Sequence, residues 1–204
     1  SARDIFTKVH ELGIIIESKD FAVGVRVEHP QRVIDSIQYH CDTDRDKNLP
    51  AAAYNVVSKM GKKSVYSFCM CPGGFIVPAA TSPGEIVVNG MSTSTRDSRF
   101  ANSGIVVTVG DKEFQQYRAQ YGPLAGVEYQ KRMEQKAFEI AGGTQKAPAQ
   151  RLQDFVRGKY SKELNETSYI PGLESINMRD LLPFEISKPL QSAFKTWGSA
   201  MRGY

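Results

Sequence analysis

The chain has 204 residues, a length that suits one domain or two small ones and can bury a real core. Hydrophobic residues make up 41% and charged residues 24%, as in ordinary globular proteins, and no apolar run approaches the roughly 20 residues that a membrane span needs. The net charge of +4 comes from basic residues interleaved with acids, which argues against the concentrated stripe of a nucleic-acid binder and leaves a mild attraction for an anionic cofactor or substrate.

Residues 2–12 carry Ile5, Phe6, Val9 and Leu12 at helical spacing, with Gly13 as a stop. In residues 21–28, Phe21, Val23, Val25 and Val27 alternate with polar or small positions, which predicts a half-buried strand. Pro30 is expected to be the first residue of a helix through Val33, Ile34 and Ile37. Residues 41–50 are polar and read as a loop. Residues 64–71 and 75–80 flank Pro72-Gly73-Gly74 and suggest a hairpin. Residues 85–88 read as a strand, Asn89-Gly90 as a tight turn and residues 104–109 as another strand.

Beyond Gly110 the pattern turns helical. Asp111 is expected to cap a short helix, and residues 124–141 to form a long one that Gly142-Gly143 ends. Residues 148–158 also read as a helix. Residues 176–201 suggest two more, with Pro183 and Pro189 at their boundaries. Strands first and helices afterwards indicate an α+β fold, with an antiparallel sheet or barrel-like part in the N-terminal half and a helical C-terminal half. The expected organisation is one domain over 1–204, β-rich in 14–110 and helical in 111–204.

Several motifs are missing. None of the 17 glycines forms Gly-x-Gly, the spacing that lets a backbone approach a pyrophosphate at a helix N-terminus. Gly61-Lys-Lys-Ser64 does not complete a P-loop. His10, His29 and His40 show no metal-binding pattern, and Cys69 and Cys71 have no second ligand pair, so no metal is expected. Three cysteines are too few for a disulfide scaffold and suit a reducing compartment. The first residues lack a signal-peptide core, so the expected location is cytoplasmic, with Asn165-Glu-Thr167 an unused glycosylation match.

The segment with the most chemistry is Tyr66-Ser-Phe-Cys-Met-Cys-Pro-Gly-Gly74. Cys69 and Cys71, two apart on a regular strand, share a face. They are either a dithiol able to exchange electrons or, more commonly, small buried hydrophobes. Gly73 and Gly74 either let a flat ring approach the backbone or simply make a turn. Arg26, Glu28 and His29 form a polar strand end that suits anion binding or acid–base work, or else a local ion pair. Arg96, Asp97 and Asn102 read as a polar loop between strands.

In order along the chain, Ser1-Ala-Arg-Asp4, Phe21-Ala-Val-Gly-Val-Arg-Val-Glu-His-Pro-Gln31, Val65 to Gly74, Asn89-Gly-Met-Ser92, Ala101-Asn-Ser103, Ala147-Pro-Ala-Gln150 with Asp154-Phe155, and Leu181-Leu-Pro183 together resemble a family of FAD-dependent dehydrogenases, flavoprotein oxidoreductases. The resemblance covers essentially the whole chain. It implies an inserted substrate or cap domain that closes over a flavin held by segments outside it. FAD is then the cofactor of the longer protein, with none expected on this fragment, which would have no redox turnover alone. The partners implied are those FAD-binding segments and a small-molecule substrate, with no nucleic acid and no membrane. By the same resemblance, Cys69, Cys71, Gly73 and Gly74 line the substrate side of the flavin; Arg26, Glu28 and His29 come second, then Arg96 and Asn102. Two rival readings are a non-catalytic ligand- or nucleic-acid-binding module and a stand-alone dithiol redox module using Cys69 and Cys71.

Overall fold

A computed structural model describes residues 3–42, 44–61 and 63–204. Helix α1, Arg3–Glu11, leads into strand β1, Phe21–Pro30, and helix α2, Gln31–Tyr39. Strands β2, Val57–Met60, β3, Lys63–Cys71, β4, Gly74–Pro78, β5, Val88–Ser92, and β6, Phe100–Val109, complete the β-rich half. The second half holds α3, Asp111–Phe114, α4, Arg118–Tyr121, α5, Ala125–Ile140, α6, Leu152–Arg157, α7, Met178–Leu181, and α8, Phe184–Ala200. Two three-residue strands, β7, Ala147–Ala149, and β8, Leu173–Ser175, pair in parallel within it. The α+β expectation holds: a four-stranded antiparallel sheet of order β1-β6-β3-β2 lies in the N-terminal half, and most of the helix in the C-terminal half.

The sheet's core face follows from alternation. Phe21, Val23, Val25 and Val27 of β1 register against Val109, Val107, Ile105 and Ser103 of β6. Val65, Ile105, Val107 and Val109 are fully buried there and share one cluster with Ile186, Leu190, Phe194 and Trp197 of α8. At the other end of β1, Phe21 stacks on Phe114 and meets Tyr129 edge-on, which brings α3 and α5 to the sheet.

Seven local expectations change. Residues 71 and 74 do not close a hairpin, because β4 pairs with β5 in a separate two-stranded ribbon while β3 pairs with β6. Asn89-Gly90 lies inside β5 rather than in a turn, and the strand expected at residues 85–88 begins only at Val88. Pro30 and Gly110, not residues inside the helices, occupy the N-cap positions of α2 and α3; the Gly110 N–H donates to the Glu113 carboxylate at 2.8 Å. Pro189 sits inside α8, and Pro183 is its N-cap. Of residues 148–158, only Leu152–Arg157 is helical, since residues 147–149 are drawn into pairing with β8.

Candidate functional site

The site is built where β3 leaves regular geometry. Phe68 pairs with Gly104 and Cys71 with Asn102, so three steps on β3 match two on β6 and one residue is extra. Cys69 absorbs the bulge with φ 53°. The extra residue resets the alternation and moves Cys71 onto the face that carries Phe68, Asn102 and Arg26, opposite the core. Cys69 is exposed and Cys71 buried, so the expectation of two thiols on one strand face is corrected by the bulge. The Cys71 thiol donates to the Cys69 carbonyl at 3.5 Å. Burial pushes its pKa up, only partly offset by the nearby Arg26 charge.

The turn that follows is enclosed by its own chain. Gly73 has φ 51°, and a Cβ there would collide with the Arg96 backbone, which lies directly on it. The Gly73 N–H donates to Gln31 Oε1 at 2.6 Å, and its carbonyl accepts from Ser98 N–H at 3.3 Å. Gly74 packs against the Cys71 Cβ and the Met91 carbonyl. Arg96 is therefore near Gly73 through its backbone while its side chain is exposed. In the same loop, the Thr95 hydroxyl, bonded at 2.7 Å, holds the Asp97 carboxyl below its usual range.

Arg26 is the centre of the cluster. Its Nη1 donates to Asn102 Oδ1 at 2.6 Å and to the Cys69 carbonyl at 3.4 Å, and its Nη2 to Asn89 Oδ1 at 3.2 Å. Asn102 is the third residue of β6, fully buried, not in the loop the sequence suggested. Gly90 of β5 sits over this group, and a Cβ on it would collide with the Arg26 guanidinium and Asn102 Oδ1. Glu28, on the same face as Arg26, accepts from the Ser168 N–H at 3.1 Å and from its hydroxyl. His29 faces the other way. It lies under Tyr204 and beside Tyr54, at ring-centroid distances of 4.7 and 6.5 Å, and burial lowers its pKa to about 4.

Of the nine predicted residues, the fold gathers Arg26, Asn102, Cys71 and Gly74, with the Cys69 backbone. Glu28 stands beside them, Gly73 and Arg96 pack on one another, and His29 is on the opposite face. Sequence reasoning missed Asn89 and Gly90, hidden by their resemblance to a turn, and Gln31 and Ser168, which carry no motif.

β1 is one edge strand of the sheet, and a cleft of about 880 Å³ runs along it. Residues 147–153 and 164–167 line it together with Arg26, Glu28 and Asn89. Among the described residues no group of acids, histidines and cysteines is placed to hold a metal, and no helix is long and apolar enough to cross a membrane.

Over 208 residues the chain is 38% identical to an uncharacterized protein of Clostridium beijerinckii, an alignment that covers 100% of this chain and 38% of that relative. The chain thus spans less than two fifths of the relative's length. A family model described as FAD-dependent protein, C-terminal domain-like, matches residues 20–204, and the chain belongs to that family.

Proposed function

We infer that this chain is the substrate or cap domain of a longer FAD-dependent oxidoreductase of the dehydrogenase type, acting in the cytoplasm. The family association with FAD supports the flavin, and the relative's greater length supports a cofactor domain elsewhere in the polypeptide. The residues present suit the ring side of FAD and not its pyrophosphate: the cleft is mostly apolar, with Arg26 held on β1 and Arg151 paired with Asp154, whereas no Gly-x-Gly offers a phosphate cradle. When bound, the flavin supplies hydride acceptance. In this reading the chain's own residues shape and orient. Arg26, held by Asn89 and Asn102, presents a fixed positive charge in the cleft. Cys71 contributes a protonated thiol behind it, and Cys69 an exposed one. Gly73 and Gly74 set the turn beside them. Glu28, through Ser168, ties β1 to the segment whose residues 164–167 also line the cleft.

The observation that carries the reading is the guanidinium in an apolar cleft of ligand size, within a chain of an FAD-associated family. The partner is the remaining polypeptide, and α1 is the surface offered to it, with Ile5, Phe6, Leu12, Ile14 and Ile15 exposed in one short stretch. Titration with FAD, followed by flavin fluorescence, tests the reading on this chain and on the longer polypeptide side by side. Binding by the longer polypeptide alone is expected. Tight binding by this chain, or binding by neither, overturns it.

A further inference from the structure

We propose that the cleft along β1 takes an elongated apolar molecule bearing one carboxylate, and that Arg26 receives that carboxylate. The inference rests on the substrate-domain reading only in calling this molecule the substrate; the binding chemistry stands on the cleft itself. All three of Arg26's oxygen partners are uncharged: the amide oxygens of Asn102 and Asn89 and the Cys69 carbonyl. Among the described residues no acid forms an ion pair with it. The acid two positions along the same face, Glu28, is taken by the Ser168 N–H and hydroxyl. Neutral acceptors orient a guanidinium without cancelling its charge, and three bonds leave N–H groups of its five for a ligand.

The geometry restricts the anion. Gly90 lets β5 press directly on the guanidinium, so its plane is fixed before a ligand arrives, which lowers the ordering cost of binding. A planar monoanion suits one such fork. A phosphate dianion would meet Glu28 on the same face as Arg26, and the cleft's other guanidinium, Arg151, is paired with Asp154 at 4.0 Å. The body is set by the walls: Val25, Ile76, Val88, Met133, Ala137 and Leu152 are apolar, and about 880 Å³ holds a molecule of cofactor or drug size.

Isothermal titration of the chain with decanoate, decanol and decylamine tests this. Decanoate is expected to bind about tenfold or more tightly than either of the others, and the margin is expected to shrink as salt rises. Arg26→Met keeps the aliphatic stem, and it is expected to abolish the margin while leaving decanol binding unchanged. Arg26→Lys retains part of it. Equal affinity for decanoate and decanol overturns the proposal, as does no binding by a chain that melts cooperatively. A preference that survives in Arg26→Met overturns it too. If Arg26→Met does not fold, the salt response of the wild-type margin decides, and a margin indifferent to salt counts against Arg26. FAD titration is a separate readout. Decanoate binding without any flavin binding in the longer polypeptide removes the oxidoreductase reading alone, and the converse removes this inference alone.

Discussion

The two faces of the four-stranded sheet come from the same alternation and are closed by different means. On the core face, Val65, Ile105, Val107 and Val109 lose all contact with water beneath α8. On the other, Arg26, Asn102 and Cys71 meet the β4–β5 ribbon through amide and carbonyl oxygens and the bare backbone of Gly90. Apolar burial is non-directional, so the first face sets stability and tolerates reshaping at a cost in free energy. Hydrogen bonds and close backbone contact are directional, so the second face sets where a charge points. Mutations on the two faces should therefore fail in different ways.

The largest effect is expected at Ile105, which is fully buried on the core face. Ile105→Ala should lower the stability seen in urea unfolding by about 3–4 kcal/mol, from lost transfer energy plus a cavity. Thr108→Ala, on the other face of the same strand where the side chain is half-buried, should stay within about 0.5 kcal/mol. Equal losses at the two positions would break the contrast between the faces.

His29 sharpens it through pH. Burial holds its folded-state pKa at about 4, against 6.5 for the free imidazole, and its buried Nδ1 has no hydrogen-bond partner among the described residues. Between those values the unfolded chain binds a proton that the folded chain refuses. Stability from a neutral His29 is therefore complete above the unfolded value and is lost as pH falls toward about 4, by at most about 3 kcal/mol. His29→Phe keeps a ring between Tyr54 and Tyr204 and should flatten that part of the pH profile in thermal melts. An unchanged profile would show that His29 is not the group responsible.

Gln31 joins the two systems. Its Nε2 donates to Asp35 Oδ1 at 2.8 Å and to the Ala52 carbonyl at 3.0 Å, while its Oε1 takes the Gly73 N–H. Gln31→Leu takes this partner from the Gly73 N–H and the Ala52 carbonyl, while Asp35 Oδ1 keeps the Ala52 N–H at 2.9 Å, and should cost about 2 kcal/mol. It should also speed hydrogen exchange at the Gly73 amide more than at the core amides of Val107. Uniform acceleration would mean that Gln31 supports the whole fold and not the turn in particular.

Periodicity made the core face legible. The alternating valines of β1 and β6 and the long α5 stripe need only a period and an apolar partner. The site was legible in composition and not in geometry. Arg26 and Cys71 stood out as residue types, but one extra residue at Cys69 decides which face Cys71 occupies, and no local signal announces that bulge. Asn89-Gly90 has the composition of a tight turn, yet its glycine serves close approach to Arg26, a requirement set by a strand distant in sequence. His29 was grouped with Arg26 and Glu28 by adjacency, and strand alternation separates it from both.

The smallest effect in the isolated chain is expected at α1, whose Ile5 and Phe6 are exposed. No residue of the helix is buried, and Arg3 ties it down by pairing with Glu85 and Glu134. Ile15 is 90% exposed just beyond it. Ile15→Asp should therefore change the unfolding free energy of this chain by less than about 0.5 kcal/mol, because no packing is lost. If the proposed function holds, the same substitution in the longer polypeptide places a carboxylate in a domain contact, where an unpaired buried charge is strongly disfavoured. There it should lower the melting temperature and raise hydrogen exchange across residues 5–15. A loss as large in the isolated chain would mean that α1 packs on its own domain after all. No loss in either form would leave the apolar stretch facing water in the whole protein and remove α1 as the surface that meets the cofactor domain.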